Sequence, residues 1–157
     1  MEPRIVHLTQ KILVGKHLLM SIADNKTGQL WQSFMPVRNT ISHKTGTDLF
    51  SLQLYPPDYF LAFNPHTPFT KWAAAEVTEA GNIPVGMEVL LVEGGLYAVF
   101  PHTGMGTEIF SYIFSEWLPR SGYTLANRPH FELLGEKYKQ GCDDSEEEIW
   151  IPVEPKP

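Results

Sequence analysis

The sequence predicts an α+β domain in which a strand-helix-strand-strand unit occurs twice, and three observations carry that expectation. The order of element types repeats, beginning at Arg4, Leu30, Leu49 and Trp72 and again at Leu96, Ile109, Phe131 and Ile149, although no residue-by-residue repeat accompanies it. Thirteen prolines and twelve glycines divide the chain into short apolar runs joined by turns. Two of those runs carry helical periodicity, while most of the others alternate or form compact apolar stretches, as strands do. Two such units sharing one sheet would set two aromatic helices on one face with a cleft between them.

Taken in order, residues 4–20 are rich in Ile, Val and Leu and read as an extended strand, with an interruption expected near Gly15. Asp24 or Asn25 can cap a helix through Met35 in which Leu30, Trp31 and Phe34 share a face, and Pro36 is expected to end it. "DLFSLQLYP" alternates Phe50, Leu52 and Leu54 against Ser51 and Gln53, a strand with one buried face stopped by Pro56 and Pro57. Residues 59–63 are read as a further strand, and "TKWAAAEV" as another, since Thr, Trp and Val flank its alanines. Gly94 and Gly95 introduce the strand "LYAVF". In "TEIFSYIFSEWLP", Ile109, Phe110, Ile113, Phe114 and Trp117 form one apolar helix face ended by Pro119 and Gly122. "HFELLGEKY" and "EEIWIPV" close the chain as strands. One domain over residues 1–157 is expected, with halves 1–85 and 86–157.

Composition narrows the function. Eighteen acids against twelve Lys and Arg give a net charge of -6, a field that repels phosphate backbones and attracts cations, so direct nucleic-acid binding is not expected. Cys142 has no second cysteine to pair with, and the N-terminus lacks a basic start followed by an apolar segment, so a cytoplasmic setting without membrane insertion is expected. His7, His17, His43, His66, His102 and His130 are scattered without a His-x-x-x-His pair, hence no metal and no cofactor is expected. "GMGTE" lacks the Lys and spacing of a phosphate loop, and no G-x-S-x-G elbow is present.

What remains is a surplus of aromatics, Trp31, Phe34, Trp72, Tyr112 and Trp150 among them, around Glu76, Glu132 and Glu148 on expected strands. Phe110, Phe114 and Trp117 read as core. Glu132 is the unusual acid, because "HFELL" places it in an apolar strand on the face of His130 and Leu134, opposite Phe131 and Leu133. That face meets either water or the inter-helix cleft. In the cleft, a flat organic cation would neutralise Glu132 while stacking on tryptophan and tyrosine.

"GLYAVFPHTG", "YIFSEWLPRSGYTL", "RPHFELLGEKY" and "SEEEIWIPV", in that order, resemble the GyrI-like effector-binding family, the ligand-sensing module also fused to AraC-type and MerR-type DNA-binding domains. The likeness is looser in the first half, at "LWQSFMP" and "DLFSLQLYP". It implies two units related by a pseudo-twofold, a curved antiparallel sheet and a central cleft for hydrophobic, often cationic ligands. It also implies that Glu132, matching the acid of a Phe-Glu-x-Tyr motif, lies at the cleft floor, with Leu134 where the family has an aromatic.

The chain reads as a stand-alone member, and three functions follow as alternatives. The first is a binding module that senses or sequesters a hydrophobic cation, as in multidrug binding or transcription regulation, with Glu132 as counter-charge and Trp31, Phe34, Trp72, Tyr112 and Trp150 as walls. The second is a hydrolase of strained cyclopropanoid-type compounds using Glu132 with Tyr112. The third is a protein-interaction module, acting on gyrase or a regulator through the acidic "DDSEEE". Either a monomer or a homodimer fits.

Overall fold

The computed structural model describes residues 2–104, 106–139 and 145–157. Cys142, and with it Asp143 and Asp144 of the acidic run, lie outside the described residues. The strands are β1 (Arg4–Leu8), β2 (Lys11–Met20), β3 (Lys44–Leu54), β4 (Phe69–Val77), β5 (Glu88–Val92), β6 (Gly95–Thr103), β7 (Tyr123–Leu125), β8 (His130–Leu134) and β9 (Glu146–Pro155). They form one antiparallel sheet in the order β1-β6-β9-β8-β3-β4-β2-β5, with β7 paired to β9. The first unit is β2, helix α1 (Thr27–Phe34), β3 and β4; the second is β6, a helical stretch, β8 and β9. In the sheet β3-β4-β2 is mirrored by β8-β9-β6, and the two units join through the β3–β8 pair. The edge strands are exchanged: β1, which precedes β2, pairs with β6, and β5, which precedes β6, pairs with β2.

The sheet curls as a half-barrel. Leu8, Leu13, Leu52, Trp72, Val92, Tyr97, Phe131 and Trp150, drawn from both ends of the sheet, are buried in one cluster to which no helix contributes. A flat sheet would leave that face wet, so the strands themselves must close over it. The helices cover the other face. Leu30 and Phe34 of α1 pack on Val14, Ala73 and Ala75, while Ile113 and Trp117 pack on Ala98, Phe100, Ile149 and Ile151.

Local chemistry corrects four expected boundaries. The first strand breaks at Thr9 and Gln10, and Gly15 lies inside β2, where an added Cβ would stand 2.6 Å from the Ala74 Cα. Asn25 Oδ1 does accept the Thr27 amide (2.9 Å), yet the chain continues beyond α1 as a 3₁₀ helix, Met35–Thr40. Pro36 occupies its first turn, where a missing N–H costs nothing. Residues 59–63 are turns and not a strand, closed by Tyr59 and Leu61 amides donating to Pro56 and Asp58 (3.0 and 3.1 Å). The second helical stretch is α2 (Glu108–Tyr112), a π-helical turn (Ile113–Trp117) and α3 (Leu118–Arg120). Pro119 has no amide to offer the Ser115 carbonyl, and the Leu118 amide reaches five residues back to Ile113.

Candidate functional site

Strand register decides which way each candidate points. Glu132 is opposite Ser51 and Ile149, and Ser51 is opposite Ala73. Ala73 and Ile149 belong to the helix-covered clusters, so Glu132 faces the helices. Phe131 and Trp150 face the other way into the sheet-enclosed cluster. Glu132 lines a cleft of ≈ 480 Å³ bounded by Trp31 and Met35 near α1, by Leu49 and Ser51 of β3, and by Leu134 and Tyr138 at and beyond the end of β8. That volume lies within the range of small-molecule sites.

The other expected walls are elsewhere. Trp72 and Trp150 are buried on the opposite face, Trp72 stacked on His17 (4.6 Å) and Trp150 on Phe131 (5.2 Å). Phe34 is fully buried beneath α1 as core. Tyr112 lines a separate hollow with Glu2, Ile5 and Arg120. Of the candidate set, the structure brings only Trp31 to the cleft of Glu132. The physical reason is common to the two tryptophans, since alternation about Lys71–Ala73 and Ile149–Ile151 sends their side chains away from the helices.

The electrostatics single out Glu132. Glu76 meets Lys11 at 3.2 Å and Glu148 meets Arg4 at 2.9 Å. Glu132 accepts a hydrogen bond from Gln53 Nε2 (3.1 Å), and among the described residues no basic nitrogen lies within 4.0 Å of it. A half-buried carboxylate with a neutral partner is a group whose field reaches into the cleft. Burial raises the pKa of the Tyr55 and Tyr138 hydroxyls, and nearby negative charge adds to it, from Glu132 at Tyr55 and from Glu147 and then Glu132 at Tyr138.

Three further polar residues line the cleft that the sequence reading does not place there, Tyr138 among them because it lies too far beyond Glu132 to replace the aromatic missing at Leu134. Lys71 of β4 is 8% exposed and forms no ion pair within 4.0 Å among the described residues. Glu147 of β9 hydrogen-bonds His102 Nδ1 (3.1 Å); burial raises its pKa, and the His102 bond opposes that rise. Tyr138 lines the cleft, which Tyr112 does not. Lys71 carried the same signal as Glu132, a charge inside an apolar strand, whereas Glu147 was hidden in a run of acids. Among the described residues no cluster of His, Cys, Asp and Glu could hold a metal, and no helix is long and apolar enough to cross a membrane.

Comparison with known proteins agrees with this architecture. Residues 1–154 match the family model of the GyrI-like small molecule binding domain. The transcriptional regulator BrlR of Pseudomonas aeruginosa is 28% identical over 158 aligned residues, which cover 98% of this chain and 56% of BrlR, so the chain spans about half of that relative. A putative transcription regulation protein from Staphylococcus aureus MU50 superposes with a TM-score of 0.70 at 18% identity, covering 98% of this chain and 99% of that one. SAV2435, solved with tetraphenylphosphonium bound, gives 0.71 at 18% identity over 98% of this chain and 94% of the other. The EcmrR C-terminal domain gives 0.68 at 14% identity over 99% and 98%. Duplicated unit, curled antiparallel sheet and paired helices thus coincide with a sequence match over nearly the whole length, and the chain belongs to the GyrI-like small molecule binding domain family.

Proposed function

We propose that the chain binds a hydrophobic organic cation in the cleft floored by Glu132. The observation that carries this reading is the Glu132 carboxylate itself, facing the helices with Gln53 as its hydrogen-bond partner and no basic nitrogen within 4.0 Å among the described residues. A soft cation brings its own weak hydration and can exchange water for Trp31, Met35, Leu49, Leu134 and Tyr138. Glu147 adds a second acid, and Lys71 opposes them both. Tetraphenylphosphonium in SAV2435 makes it the natural first probe.

Calorimetric titration of tetraphenylphosphonium tests the reading. Glu132→Gln keeps the side-chain shape and its link to Gln53 but removes the charge, and affinity is expected to fall about tenfold or more. Lys71→Met removes the like charge and should tighten binding several-fold. Equal affinity in wild type and Glu132→Gln would sink the proposal. A hydrolytic reading rests on Glu132 and Tyr138 lining one cleft, in place of the Glu132–Tyr112 pair. It predicts turnover of a strained electrophile that is lost in both Glu132→Gln and Tyr138→Phe.

A further inference from the structure

The Glu132 cleft has a counterpart across the β3–β8 seam. It is bounded by the first unit's helix and by residues that follow β8, namely Gly135 and Tyr138. A second cavity of ≈ 440 Å³ is bounded by Leu118 and Pro119 of the second unit's helix and by Tyr55, Pro56, Pro57, Phe60 and Leu61, which follow β3. The duplication thus builds two chambers from equivalent elements. His130 lines the second, two residues before Glu132 on the same face of β8 and about 7 Å away along the strand.

Between them stand Gln53 and His130 with an aromatic roof. Gln53 stands opposite His130 in the β3–β8 register and hands its amide to Glu132. Above this row Phe60 stacks on His130 (5.2 Å) and on Phe114 (5.1 Å), and Tyr55 meets His130 edge-on (5.0 Å). Phe60 is held by this stack and by its neighbours in a run of turns, not by a strand. The run is exposed at its tip, with Leu61 at 86% and Phe63 at 63%. The buried Tyr59 hydroxyl, next to Phe60 in this run, has no hydrogen-bond partner among the described residues, which costs the closed arrangement free energy.

We infer that Phe60 gates a second ligand chamber, which takes the apolar tail of an elongated amphipathic cation whose head lies at Glu132. The inference rests on the reading proposed above and extends it to ligand shape. Pro56, Pro57, Leu118 and Leu125 give the chamber apolar walls, and the two cations that also line it, Arg128 and Lys156, donate to backbone carbonyls, Arg128 to those of Leu96 and Val153 and Lys156 to that of Pro119. His130, held neutral by burial, puts no charge against the tail.

Methyltriphenylphosphonium and decyltriphenylphosphonium share one head and differ only in the tail. In Phe60→Ala the decyl compound should bind about tenfold tighter than in wild type, while the methyl compound stays within about twofold. Adding Thr124→Trp, or Leu61→Trp at the exposed rim, should erase the decyl gain by filling the chamber. The Leu61 position keeps the test sound should a tryptophan on β7 disturb folding. A decyl gain that survives both blocking variants, or no gain in Phe60→Ala while the methyl compound still binds through Glu132, overturns the second chamber alone. Binding of both compounds that ignores Glu132→Gln overturns the underlying reading and this inference with it.

Discussion

His130 and Glu132 occupy one face of one short strand, yet opposite chemistry is asked of them. Burial lowers the His130 pKa from 6.5 to about 3, so the folded protein holds a neutral imidazole under Phe60 and Phe114. The sign follows directly: between those values the unfolded chain binds a proton that the folded chain refuses, so His130 costs stability as pH falls through that window. Its contribution is about 1.4 kcal/mol per pH unit at most. Urea unfolding at pH 7 and pH 4 should therefore show a smaller acid loss in His130→Phe than in wild type, and an equal loss would contradict the assignment. Tryptophans separate by face in the same way. Trp72→Ala and Trp150→Ala should each cost about 3–5 kcal/mol of stability, as large core truncations do. Trp31→Ala should weaken tetraphenylphosphonium binding with a much smaller change in melting temperature.

At the scale of elements, Gly15 is where β2 has no room for a side chain against β4. A methyl group there meets the Ala74 backbone, which cannot turn aside as a flexible side chain would. Gly15→Ala should lower stability by about 1–3 kcal/mol in denaturant titration; a neutral effect would mean the strands separate more easily than the register implies. β3, β4, β6, β8 and β9 were legible because alternation and bounding turns are local signals, and the same alternation placed Glu132 opposite Phe131. The expected strand at residues 59–63 failed because Pro56, Pro57 and Asp58 set turns that outweigh aromatic β propensity. Tyr112 failed for a rotational reason. The faces of a helix are fixed only by what it packs on, and a π turn follows directly after Tyr112. Trp72 and Trp150 read as cleft walls only while their strands' pairing is unknown; with the pairing, the period-two rule that orients Glu132 turns them away from it.

Across the whole molecule, duplication determines where a site can form. The β3–β8 seam lies between the strands that the two helices cover, and polar residues from four strands converge there: Gln53, Lys71, Glu132 and Glu147. Exchange of β1 and β5 ties the units together, since each edge strand belongs by sequence to one unit and by pairing to the other. Removing residues 2–9 should therefore speed hydrogen exchange in β6, of the second unit, before it affects β4 of the first; the reverse order would contradict the exchanged pairing. The most direct measurement of the central claim is a crystal structure with tetraphenylphosphonium bound. The phosphonium is predicted on the helix side of the sheet against Glu132, with a phenyl ring on Trp31. A cation found at Trp72 and Trp150, or in the Tyr112 hollow with Glu132 untouched, would contradict it.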